Sequence, residues 1–124
     1  GAEAAGIDAV ELLAHRYISA GGTLLAAPVW PGAYALLGVK SPVWEIYPLF
    51  PRGDDFQNQE IARLQRARPA LVLINDIGVD GRDDLRYVNT HGRIWNYVNA
   101  NYQQVPTPAG MSELLVYIPK PTVR

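Results

Sequence analysis

The chain has 124 residues, 48% hydrophobic and 19% charged, which is enough for one domain around a single core and excludes a disordered chain. A net charge of −1 leaves no basic footprint for nucleic acid. The absence of cysteine excludes disulfides, thiolate chemistry and Cys-ligated zinc. No apolar run reaches the roughly 20 residues of a membrane span, and Gly1-Ala2-Glu3 does not begin a signal peptide. A first residue that is Gly rather than Met suggests a cleavage scar. Residues 1–124 therefore read as one soluble domain excised from a longer protein.

Residues 4–20 predict a helix, because Ile7, Val10, Ala14, Tyr17 and Ile18 recur at helical spacing. Gly21-Gly22 stop it. Residues 23–27 form a short apolar strand closed by Pro28. A turn at Val29-Trp30-Pro31-Gly32 leads to one or two helical turns that Gly38 ends. Residues 42–47 form a second strand, whose mixed polarity places it near a sheet edge. A loop over 48–55 follows, and Asp54 or Asp55 is expected to N-cap a helix that runs to about Ala67. Ile61 and Leu64 face inward, and Arg63, Arg66 and Arg68 gather where cations suit the helix macrodipole.

Pro69 then opens Ala70-Leu71-Val72-Leu73-Ile74-Asn75-Asp76, the stretch that organises the rest. Its apolar residues are consecutive rather than alternating, as in a strand buried on both faces. Residues 78–84 read as a polar loop. Thr90 is expected to N-cap a helix reaching Tyr102, with Ile94, Trp95, Val98 and Tyr102 inward. A loop with Pro106, Pro108 and Gly110 leads to a last strand over 113–118. Strands alternating with helices predict an α/β fold. The expected form is three-layer and Rossmann-like, with a mostly parallel sheet of about four to five strands and helices on both faces.

Nothing in this order carries a strong catalytic motif. The strand before Pro28 is not followed by the glycine fingerprint of a dinucleotide site, and no Walker sequence occurs. His15 and His91 lack partners at metal-ligand spacing, so both read as surface or capping residues and no metal is expected. Asp54, Asp55, Asp80, Asp83 and Asp84 read as caps and solvated loop rather than as a calcium site. The aromatic residues are more informative. Trp30, Tyr34, Trp44 and Tyr47 fall at or beyond the carboxyl ends of the first two strands, the edge at which open α/β sheets bind ligands. If the sheet is parallel, Trp30, Tyr34, Glu45, Arg52 and Asp76 share one rim. Rings would stack there on a sugar face, and an Arg fork would hold an anion. The plainer alternatives are core packing of the rings and a surface pair between Glu45 and Arg52.

The order of short motifs resembles a known family. Tyr17-Ile18 with Gly21-Gly22 is followed by Leu24-Leu25-Ala26-Ala27-Pro28, then Tyr34-Ala35-Leu36-Leu37-Gly38, then the aromatic strand from Pro42 to Tyr47. Gln59-Glu60-Ile61 with Leu64 and Pro69, the strand to Asp76, Asn101-Tyr102 and Val116-Tyr117 complete the series. This series is similar to the soluble C-terminal domain of bacterial polytopic membrane glycosyltransferases. That is the GT-C class, with aminoarabinose transferases and dolichyl-phosphate-mannose protein mannosyltransferases among its members. The chain departs from the pattern at Val39-Lys40, where relatives often have Arg.

The resemblance implies a non-catalytic accessory domain, without a cofactor of its own, on the extracytoplasmic (periplasmic or outer) face of a bacterial membrane. It would be tethered through a parent glycosyltransferase that uses lipid-linked sugar donors. Its partners would be the transmembrane part of that parent and a lipid-linked sugar or its acceptor. The family's catalytic acid lies in the membrane part, so no catalytic residue is carried over. Two other readings stand beside it. One is a free-standing Rossmann-like small-molecule-binding or enzyme domain acting through Glu45 and Asp76. The other is a protein-interaction module using the exposed aromatics.

Overall fold

Leu71, Val72, Leu73 and Ile74 are fully buried at the centre of a four-stranded sheet, as their unbroken apolar run requires. The computed structural model describes residues 2–19, 22–27, 41–43, 51–78, 81–111 and 113–121. Elements are numbered over those residues. Helix α1 is Ala2–Tyr17 and strand β1 is Leu24–Ala27. Helix α2 is Asp54–Ala67 and strand β2 is Leu71–Asn75. A 3-10 turn at Asp83–Leu85 precedes the short helix α3, Tyr87–Thr90, and helix α4, Gly92–Asn101. Strands β3, Tyr102–Val105, and β4, Leu114–Pro119, close the chain.

The sheet order is β1-β2-β4-β3. β1 and β2 run parallel, with Leu24 opposite Leu71 and Ala27 opposite Ile74. β2 and β4 run antiparallel, Val72 facing Tyr117 and Asn75 facing Leu114. β4 and β3 are also antiparallel, Tyr102 facing Pro119. Alternate side chains of the sheet divide the core in two. Leu24, Ala26, Leu71, Leu73, Leu114 and Val116 meet Val10 and Leu13 of α1. Leu25, Ala27, Val72, Ile74 and Tyr117 meet Leu64 of α2 and Ile94 and Val98 of α4.

The expectation of a mostly parallel sheet is corrected: the sheet is mixed, and only β1 and β2 form a parallel pair. The cause lies at Tyr102, where α4 passes directly into β3. The turn over 106–113 then folds β4 back beside β3, so no crossover helix is needed. The sequence conceals β3 because Gln103 and Gln104 are exposed, giving a short polar edge strand.

Three local expectations are corrected as well. Gly53, not Asp54 or Asp55, is the N-cap of α2, in an extended conformation and with no side-chain cap. The two acids lie in the first turn, where the macrodipole favours them. Thr90 ends α3 rather than capping α4, and His91 takes the N-cap position. Helix α1 ends at Tyr17, although Ile18 N–H still donates to the Ala14 carbonyl at 2.9 Å. Of the strand expected over 42–47, Pro42 and Val43 form a bend, and the remainder lies outside the described residues. The turn and short helix expected over 29–37 lie outside them too.

The start of β3 carries a pH-dependent element. Tyr102 is buried, and its hydroxyl donates to the Pro69 carbonyl at 2.7 Å. Burial, first of all, pushes its phenol up to about 12 from an ordinary 10.0. The folded state thus favours the protonated phenol. This contribution is complete below pH 10 and is lost as pH rises through about 12. In urea unfolding at a series of alkaline pH values, Tyr102→Phe should show a shallower decline than the unsubstituted chain. Parallel declines would contradict the assignment.

Candidate functional site

Because β1 and β2 are parallel, Ala27 and Asn75 end at the same edge of the sheet, and Leu114 of β4 begins there. Asp76 follows immediately, and its N–H donates to the Glu113 carbonyl at 2.8 Å. Its carboxylate is held at two points by Arg86. Nε donates to Oδ1 at 2.8 Å, and Nη2 donates to Oδ2 at 2.6 Å. The remaining arm of the guanidinium, Nη1, donates to Asp83 Oδ1 at 2.9 Å. Hydrogen bonds from Arg86 to these two carboxylates raise its pKa still further above the ordinary arginine value. A fork of this kind is geometrically specific. It fastens the 3-10 turn to the end of β2 and takes one acceptor position on each Asp76 oxygen.

More ion pairs surround this edge. Arg82 donates to both oxygens of Asp84, at 3.1 and 2.6 Å, and this hydrogen bonding lowers the Asp84 pKa. Arg93 binds Asp54 through Nη2 at 3.1 Å and Nε at 2.9 Å, which lowers the Asp54 pKa in the same way. All four side chains are well exposed, so each pair contributes little to stability.

Of the residues expected on the rim, Asp76 and Arg52 are described. They stand on different partners: Asp76 on Arg86, and Arg52 with its guanidinium 4.6 Å from the centre of the Phe56 ring. Trp30, Tyr34 and Glu45 lie outside the described residues, as do Trp44 and Tyr47.

Sequence reasoning missed a buried polar group beneath α4. Gln57, Glu60, Thr90 and His91 are all at most 4% exposed. Gln57 reaches from α2 to the amino end of α4, where its Oε1 accepts from Arg93 N–H at 2.9 Å and Ile94 N–H at 3.4 Å. Its Nε2 donates to the Arg52 carbonyl at 2.8 Å. A residue 36 positions away thus supplies the cap that α4 lacks locally. His91, read as a surface or capping residue, holds the N-cap position of α4 and is fully buried. Its ring stacks on Tyr87 with centroids 4.7 Å apart, and its Nδ1 lies 2.7 Å from Thr90 Oγ1. Glu60 receives Arg63 Nη1 at 2.7 Å. Among the described residues no three His, Cys, Asp or Glu side chains come together as metal ligands.

A cleft of about 480 Å³ lies at the other end of the sheet. The C-termini of α2 and α4, the start of β3 and the end of β4 form it, with Arg68, Tyr97, Asn101, Tyr102 and Lys120 in its lining. Arg52 and Asp76, the described members of the expected set, are not among its described lining residues. Arg68 and Pro121 are 53 positions apart in sequence, so no local motif announces the cleft.

No family model, no curated protein and no solved structure matches the chain.

Proposed function

We propose that this chain is a non-catalytic accessory domain of an integral-membrane glycosyltransferase that uses lipid-linked sugar donors. It stands on the extracytoplasmic side and is tethered through the parent protein. The ordered sequence motifs, from Tyr17-Ile18 to Val116-Tyr117, motivate the reading. The observation that carries it is the two-point clamp of Arg86 on Asp76. The strand-end carboxylate, the group a site at the carboxyl edge would most readily use, here fastens a loop, which favours a structural role for it. In the same reading the fold is a Rossmann-like, three-layer variant, with the parallel β1–β2 pair as its Rossmann-like part and the antiparallel β3–β4 hairpin as an addition. Its partner is the transmembrane part of the parent, and the lipid-linked sugar or its acceptor passes nearby.

The purified domain, incubated with a sugar linked to a lipid phosphate, should neither release nor transfer the sugar. Turnover proportional to the concentration of domain, and lost in Asp76→Asn, would overturn the accessory role in favour of a free-standing enzyme.

A further inference from the structure

Among its described lining residues, the cleft between the C-termini of α2 and α4 carries positive charge only. Arg68 and Lys120 line it, and no Asp or Glu belongs to its described lining. The plainest account of two cations there is that they neutralise the carbonyl ends of the helices. Lys120 does so directly, with Nζ donating to the Asn99 and Ala100 carbonyls at 3.2 Å each. The magnitudes leave charge over. Two helix ends carry roughly half a negative charge each, against two full positive charges, so about one unit remains uncompensated. An ammonium also has three donors, and two of those on Lys120 are engaged.

The walls suit a small ring. Tyr102 is fixed by its bond to the Pro69 carbonyl, and Tyr97 stands beside it in the lining. The single hydroxyl proton of Tyr102 is committed to the Pro69 carbonyl, so Tyr102 offers its ring face to a ligand, while burial, first of all, raises the pKa of both phenols and keeps both rings uncharged. Asn101 and Gln65 add amide groups to the same surface. The volume lies within the range of about 300–1,000 Å³ typical of small-molecule sites.

We propose that this cleft binds a phosphate ester, with the phosphate between Arg68 and Lys120 and the ring or glycerol body against Tyr97 and Tyr102. A planar guanidinium can grip two phosphate oxygens while the ammonium supplies a point charge. The inference rests on the cleft alone and is independent of the accessory role. A soluble sugar phosphate and an anionic lipid headgroup both present this chemistry.

Arg68 offers a clean variant. It is the C-cap of α2, in a left-handed conformation with φ of 46°, which glycine adopts without strain. Arg68→Gly therefore removes the guanidinium while suiting the backbone, and thermal unfolding checks that the fold persists. Glucose 1-phosphate titrated into the isotope-labelled domain should move the amide signals of Arg68, Tyr97, Asn101, Tyr102 and Lys120, whereas glucose should not. Arg68→Gly should weaken this binding about tenfold or more, and Arg68→Lys should weaken it less. A parallel arm uses phosphatidylcholine vesicles with and without phosphatidic acid. Saturable binding of the soluble ester identifies a free phosphate site. Binding to the acidic vesicles alone, lost in Arg68→Gly, identifies a lipid headgroup. The proposal is overturned if neither probe binds at about 10 mM phosphate, or if binding is unchanged in Arg68→Gly.

Discussion

Replacing Leu73 with Ala should lower the free energy of unfolding by about 2–5 kcal/mol, the range for deleting a buried leucine side chain and leaving a cavity. Leu73 is fully buried on the central strand. It faces α1, in a cluster with Val10, Leu13, Leu24 and Leu114. Neighbouring strands on both sides fix its backbone, with Ala26 and Val116 directly opposite. That backbone has little freedom to collapse into the space, which argues for the upper half of the range. Urea unfolding followed by circular dichroism measures the change. A loss below about 1 kcal/mol would show that the strand is not the centre of the core.

Gln57→Ala should cost about 2–4 kcal/mol, a large effect for a polar residue. The loss comes from what is left behind. The Arg93 and Ile94 N–H groups and the Arg52 carbonyl would all lose their partner, and Ile94 is buried. An orphaned buried group costs more than the bond it made is worth. Gln57→Glu should be milder at neutral pH. Its carboxylate still accepts from α4 and places a negative charge at the positive end of that helix. It loses the bond to the Arg52 carbonyl and sets a buried anionic oxygen against it, so it still costs stability, but less than the alanine variant. If the two variants unfold at the same urea concentration, the cross-helix cap is not what holds α4 in place.

The sequence made the fold class legible where a physical pattern is local. The unbroken apolar run from Leu71 to Ile74 marks a strand buried on both faces, and all four residues are fully buried. Ile94 and Val98 are likewise buried and Trp95 half-buried, on the face that helical spacing predicts, whereas Tyr102 is buried as the first residue of β3 and not as part of the helix. Strand direction was not legible. An alternation of helices and strands favours crossovers, but Tyr102 to Val105 adds a strand with exposed glutamines that carries no period-two signal. The resulting hairpin reverses β4.

The carboxyl edge was legible only in part. Parallel pairing of β1 and β2 does bring their ends together. The partner that decides the chemistry of Asp76, Arg86, sits ten residues on, beyond a 3-10 turn, and follows no motif. Gln57, and the burial of His91 at its N-cap position, were missed for a related reason. A polar side chain reads as surface until the helix end or aromatic ring that receives it is known. The cleft is the extreme case, since three separate segments meet to form it.

The accessory role is tested most directly by the length and hydropathy of the parent reading frame around these 124 residues. Among the described residues, no helix is long and apolar enough to cross a membrane. The account predicts on the order of eight or more spans of roughly 20 apolar residues upstream of the domain. A parent with no such spans would contradict it.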